Sequence, residues 1–175
     1  APPGEAFFGL GSAEVTAPLA LEASRPVEVT VEYSSDGGIA MYGVQVGLRP
    51  PPADDLIDRA VNAASWADAA VVVIGTDEDW ETEGRDRASM DLPGGQAELV
   101  RRVAAANPRT VAVVNAGSPV TVDWADEVPA VLVVWFGGQE MADALVDVLT
   151  GESDPSGRLP TTFPKRLEDT PAFLN

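Results

Sequence analysis

Apolar and polar positions alternate along Pro26-Val27-Glu28-Val29-Thr30-Val31-Glu32-Tyr33, the period of a half-buried strand. The turn cluster Ser34-Ser35-Asp36-Gly37-Gly38 follows, and the run from Ile39 to Leu48 is expected to pair back as a hairpin. Two or three strands rarely persist alone in water, so this β-rich segment is expected to belong to a larger sheet. Pro50-Pro51-Pro52 is a stiff break and marks a domain boundary, dividing the chain into 1–52 and 53–175.

Beyond the break the period changes. Asp54 or Asp55 can cap a helix whose apolar positions Leu56, Ile57, Ala60, Val61 and Ala64 fall at helical spacing. Ala69–Ile74 is an uninterrupted apolar run, read as a strand buried on both faces. Pro93-Gly94-Gly95 opens a second helix, with Leu99, Val100 and Val103 inward, Arg101 and Arg102 outward, and Asn107-Pro108 as its stop. Thr110–Val114 and Pro129–Trp135 read as further strands, Glu140–Leu149 as a third helix, and Thr161–Phe163 as a short edge strand. The alternation predicts an α/β fold, a mostly parallel sheet flanked by helices, preceded by the small β-rich segment. In such sheets ligands bind at the carboxyl ends of the strands, which here are the loops 75–93, 115–124 and 136–139.

The first of these loops begins Asp77-Glu78-Asp79-Trp80-Glu81-Thr82-Glu83-Gly84-Arg85-Asp86-Arg87, six carboxylates and two guanidiniums behind a buried strand. Composition narrows what it can do. Net charge is −17, a surface that repels phosphate backbones and anionic lipid, so neither nucleic acid nor membrane is an expected partner. No apolar run approaches the roughly 20 residues of a membrane span. The start, APPGEAFFG, carries no Met and no basic-then-apolar leader, so the chain is expected to be processed or a piece of a larger one. Ten arginines against one lysine, Lys165, with many Ala, Val and Asp, suggest a GC-rich bacterial gene; secreted and cytoplasmic locations both stay open. Without Cys or His there is no thiol nucleophile, no Ser-His-Asp triad and no Cys- or His-ligated zinc within these residues. Acid–base chemistry therefore falls to carboxylates, Tyr33, Tyr42 or Lys165.

Three readings of the acidic loop remain. A nucleotide site is disfavoured, since there is neither GxGxxG nor GxxxxGK[ST] and the carboxylates repel pyrophosphate. A divalent cation on Asp77, Glu78 and Asp79 lacks the spacing of a calcium loop, and Arg85 and Arg87 offset the charge; no metal or other cofactor is expected. A catalytic carboxylate in Glu81-Thr82-Glu83-Gly84 would use the glycine for a close approach, Asp86 and Arg87 as an internal pair, and Trp80 as an apolar wall or a stacking platform for a sugar ring. An exposed acidic loop with no chemistry stands beside that reading.

The residues also carry a resemblance. The pieces VVVIGTDEDWETEGRDRASMDLPGGQAELV, ANPRTVAVVNAGSPVTVDW, VLVVWFGGQEMADALVDVLTGESDPSGRLPTTFP and KRLEDTPAFLN occur in the order found in family 3 glycoside hydrolases. Residues 69–175 resemble the C-terminal α/β-sandwich domain of that β-glucosidase family. The sequence departs from it in having Asp154 where Asn is usual and Arg85 where the family has an aromatic. The resemblance implies a retaining hydrolase that releases terminal, non-reducing β-glucose. It makes Glu83 the general acid/base, with Glu81 as the alternative, Asp86 and Arg87 as loop-bracing residues, and Trp80 and Arg85 as substrate contacts. Residues 115–119 and 135–140 are expected to hold the sheet ends rather than meet sugar. The nucleophile, an aspartate, is expected on a TIM barrel outside this chain, so the partners implied are a β-glucoside and that barrel segment. Gly11–Leu19 and Val27–Tyr33 resemble the closing strands of a PA14-type insert. The competing function is a non-catalytic carbohydrate-binding or interaction module.

Overall fold

The structure, a computed structural model, describes residues 14–32, 44, 46–51, 53–83 and 86–174. It divides into two compact units, Ala1–Pro52 and Ala53–Asn175. In the first unit the described residues form no strand, and Val27, Val29 and Val31 are exposed. The strand expected at 26–33 is thus absent over 26–32. Alternation suits a strand but does not supply a hydrogen-bonding neighbour, and most of the expected partner run, 39–48, lies outside the described residues, as does Tyr33. Within this unit Arg49 pairs with Glu14 at 2.9 Å and Arg25 with Glu22 at 3.1 Å, both exposed.

The second unit holds helices α1 (Leu56–Trp66), α2 (Gln96–Ala106) and α3 (Met141–Thr150) and strands β1 (Ala70–Gly75), β2 (Thr110–Asn115) and β3 (Ala130–Val133). The strands form one parallel sheet in the order β1-β2-β3. Register stacks Val72, Ala112 and Val131 in one row and Ile74, Val114 and Val133 in the next. Against these rows pack Val100, Val103 and Ala104 of α2, with Ala64 of α1, Val120 and the wholly buried Trp124 completing the core. Helix α1 packs on α2, close enough that a Cβ on Gly95 would lie 3.3 Å from Ile57 Cδ1. Asn107, 4% exposed, joins the layers: its Nδ2 donates to the carbonyls of Ala64 (3.0 Å) and Ala67 (2.9 Å), and its Oδ1 accepts from the Arg109 N–H. A buried amide can stay there only because its donors and acceptor are used.

Three expectations are corrected here. Strand β1 is not buried on both faces: Val72 and Ile74 are buried, whereas Val71 and Val73 are 50% and 58% exposed. It is an edge of the described sheet, and α2 packs on the other face. Residues 161–163 do not form an edge strand. Pro160 and Pro164 lack the N–H that a ladder needs, and Phe163 packs its ring on Trp135, centroids 5.7 Å apart. Asp55 does stand at the N-terminus of α1, but neither its side chain nor any other caps that end. No helix among the described residues is long and apolar enough to cross a membrane.

Candidate active site

Where β1 ends, Gly75 runs so close to β2 that a Cβ there would sit 1.7 Å from the Asn115 carbonyl oxygen. Only glycine fits that crossing. The amide of Gln96, at the start of α2, holds the same residue from the other side: Oε1 accepts from the Gly75 N–H at 2.7 Å and Nε2 donates to its carbonyl at 3.0 Å. Sequence patterning gave no sign of this clamp, since an isolated glutamine at a helix start looks like any polar surface residue.

The acidic loop leaves from that fixed point. Asp77 turns it over: its Oδ1 accepts from the N–H groups of Asp79 (3.1 Å) and Trp80 (3.2 Å), and its carbonyl accepts from Trp80 and Glu81. Its carboxylate thus serves the backbone, as aspartates do at turns. Among the described residues no group of three or more carboxylates is placed to hold a metal ion.

From Glu81 onward the loop is stitched to the turn after β2. Glu81 accepts from the Thr76 hydroxyl, from the Gly117 N–H at 3.0 Å and from the Ser118 hydroxyl at 2.8 Å. Arg87 donates to the Pro119 carbonyl at 2.7 Å. The Met90 carbonyl accepts from the Thr121 N–H at 2.9 Å, and Asp91 accepts from the Thr121 hydroxyl at 2.6 Å. Partial burial works against ionisation of Glu81, but the three donors and the Arg87 charge outweigh it and hold the carboxyl below its ordinary 4.5. Asp91 is lowered likewise, by its bonds with Thr121 and Ser89.

Glu83 lies between two of these pins, Glu81 and Arg87. It is exposed and makes no hydrogen bond or ion pair among the described residues. Arg87 braces the loop through Pro119 rather than through the internal pair with Asp86 that the sequence suggested. Asp86 is exposed, and Arg85 falls outside the described residues. Trp80 is half-buried at the head of the loop, and its indole Nε1 has no partner; the same holds for Arg87 Nη1 later in the loop and for Asn115 Oδ1 at the end of β2.

An open depression of about 450 Å³ lies between the acidic loop (Glu81, Thr82, Asp86, Arg87) and the turns after β2 and β3 (Gly117, Ser118, Phe136). Glu83 and Trp80 are not among its lining residues. Trp135, at the carboxyl end of β3, adopts φ 53°, uncommon for an aromatic residue and of the kind that clusters at functional sites.

Comparison with known proteins decides the family. The family model described as glycosyl hydrolase family 3 C-terminal domain matches residues 4–175. The chain belongs to this family. It is 40% identical over 184 residues to a probable beta-glucosidase I of Aspergillus terreus, covering 99% of this chain and 22% of that protein. It is 42% identical over 176 residues to a beta-glucosidase of Rhizobium radiobacter, covering 98% and 22%. The chain thus spans about a fifth of the length of these curated relatives. Among solved structures, the Kluyveromyces marxianus beta-glucosidase in complex with glucose matches with TM-score 0.68 and 44% identity, over 73% of this chain and 15% of that one. A Streptomyces venezuelae beta-glucosidase in complex with D-glucose matches with TM-score 0.58 and 44% identity, over 62% and 14%. The relatives are named beta-glucosidases, and this chain matches them over the part that the family 3 C-terminal domain model describes.

Proposed function

We propose that this family 3 domain supplies the general acid/base of a retaining β-glucosidase, that Glu83 is that residue, and that the nucleophilic aspartate stands on a TIM barrel outside this chain. The observation that carries the choice is the division of labour between the two glutamates. A general acid must arrive protonated and give its proton to the leaving oxygen. Glu81 accepts from three donors and is held ionised by them, so protonating it would oppose its own anchoring. Glu83 is exposed, free of such partners, and bracketed by two fixed points, Glu81 and Arg87.

Retention at the anomeric carbon requires two carboxyl groups about 5–5.5 Å apart, one attacking and one protonating. Within this reading the barrel aspartate attacks the anomeric carbon while Glu83 protonates the glycosidic oxygen. Glu83, now a carboxylate, then takes a proton from the water that hydrolyses the glycosyl-enzyme. Trp80, which is half-buried, is assigned to the leaving-group side together with Arg85, and residues 1–52 to the close of a PA14-type insert. We retain a bacterial source as the reading of the Arg-over-Lys bias.

The test is Glu83→Gln in the full-length enzyme, assayed with a dinitrophenyl β-glucoside and with and without azide. The expected result is slow turnover that azide accelerates, with β-glucosyl azide as product, since a small anion can attack where the base is missing. If Glu83→Gln keeps parent-like activity on substrates with poor leaving groups, the assignment is wrong.

A further inference from the structure

We propose that Glu81 is a positioning residue for catalysis: its carboxylate pins the acid/base loop to the ends of both β1 and β2 and thereby fixes where Glu83 stands. This rests on the reading of Glu83 as the acid/base.

The geometry has three parts. First, the donors come from two strand ends. Thr76 is on the segment leaving β1, and the Gly117 N–H and Ser118 hydroxyl are on the turn leaving β2. A carboxylate, with two acceptor oxygens and no proton, suits three converging donors better than an uncharged or shorter side chain would. Glutamine would turn an NH₂ toward a donor, and aspartate would fall one methylene short.

Second, room for that carboxylate is made by Gly117, where a Cβ would lie 2.8 Å from Glu81 Oε2. Third, the pin is close to what it positions. Only Thr82 separates Glu81 from Glu83, so at about 3.3 Å per residue their Cα atoms are at most about 7 Å apart. Arg87, on the Pro119 carbonyl, holds the loop beyond Glu83. Losing the Glu81 pin leaves the loop tied to the turn after β2 only beyond Glu83, through Arg87, Met90 and Asp91. A catalytic group has to be held within about 0.5 Å of its working place, and a misplacement of about 1 Å can cost about a hundredfold in rate.

The experiment compares Glu81→Gln, Ser118→Ala and Glu83→Gln in the full-length enzyme, using aryl β-glucosides with good and poor leaving groups. Glu81→Gln is expected to lower kcat on poor leaving groups about ten- to a hundredfold with KM within about twofold, and to cost far less with a dinitrophenyl leaving group. It is expected to keep the alkaline limb of the kcat/KM profile, since Glu83 still donates the proton, and to respond little to azide. Ser118→Ala removes one of three donors and is expected to show the same pattern more weakly, which covers the case of a poorly folding Glu81→Gln. An equal loss on every substrate, tracking the folded fraction, would mean a structural role only and overturn the proposal. Parent-like Glu81→Gln and Ser118→Ala beside a Glu83→Gln that has lost its acid would overturn it and leave the reading of Glu83 standing. Azide rescue with loss of the alkaline limb in Glu81→Gln would overturn both.

Discussion

Glu81 accepts a hydrogen bond from the Ser118 hydroxyl at 2.8 Å, so the loop that follows β1 is fastened to the turn that follows β2 across 37 positions of sequence. The bond lies at the carboxyl edge of a parallel sheet, where the two strands come into register at Gly75 and Asn115. Fixing loops to one another at that edge gives an otherwise polar, exposed segment a defined shape without burying it in the core. The loop can then offer one glutamate to solvent while its neighbours are held.

That fastening depends on the absence of a side chain at Gly117. A Cβ there would meet Phe136 Cε2 at 2.7 Å as well as Glu81 Oε2 at 2.8 Å. Gly117→Ala is therefore expected to push Phe136 aside and to lengthen or break the bonds to Glu81. The cost expected for overpacking of this kind is about 1–3 kcal/mol. Urea unfolding of the variant against the parent chain checks the magnitude, and an unchanged midpoint would mean that Phe136 swings away freely.

Stability should depend on pH through the same carboxylate. Glu81 is lowered in the fold below its ordinary 4.5, so the folded chain binds its proton less readily than the unfolded chain. Its contribution is present at pH values above 4.5 and is lost as pH falls through the lowered folded value. Asp91 acts with the same sign from its ordinary 3.8. Urea midpoints measured at descending pH should fall in that window, and Glu81→Gln should give a flatter curve. The variant is expected to be less stable than the parent near neutrality, with the gap closing in acid; a gap that stays constant would remove Glu81 from the account.

Local periodicity made most of the second unit legible from sequence. Helices α1 and α2 and strands β1 and β2 fall within a residue or two of their expected limits, because apolar spacing and the breaks at 93–95 and 107–108 are local signals. Strand β3 is shorter than expected, and the third helix begins one residue late. The misses share a cause. Whether 26–32 or 161–163 joins a sheet depends on a neighbouring strand, and whether Val71 and Val73 are covered depends on what packs over them. Periodicity reports neither. The candidate site divides the same way: crowded carboxylates and the family motif drew attention to this loop, but only the fold separates Glu81, with three donors, from Glu83, with none among the described residues. The Gln96 clamp and the buried Trp124 left no sequence trace.

The uncovered face of β1 has a measurable consequence. Val71 and Val73 are 50% and 58% exposed on a strand whose other face is packed. Apolar surface of this kind binds hydrophobic dyes and promotes association. The isolated chain is expected to enhance anilinonaphthalene sulfonate fluorescence, and Val71→Thr with Val73→Thr should reduce the signal while leaving the unfolding free energy from urea denaturation within about 0.5 kcal/mol of the parent, as exposed substitutions usually do. Dye binding that is unchanged in the double variant would locate the responsible surface elsewhere.

Gln96 offers the sharpest separation of hydrogen bonding from packing at the site. Its amide satisfies both backbone groups of Gly75, accepting at 2.7 Å and donating at 3.0 Å. Gln96→Glu keeps the size and the acceptor but exchanges the NH₂ for an oxygen that faces the Gly75 carbonyl. Gln96→Ala removes both bonds and leaves water to take their place. A partly buried carbonyl deprived of its donor costs about 1–3 kcal/mol, and an opposed carboxylate adds repulsion. The glutamate variant is therefore expected to be the less stable of the two at neutral pH and to recover as acid protonates it, whereas the alanine variant should show no such recovery. Chemical denaturation of both variants at neutral and acid pH reads the difference. Equal stability at every pH would show that water satisfies Gly75 as well as the amide does, and that the root of the acidic loop is held by the β1–β2 crossing alone.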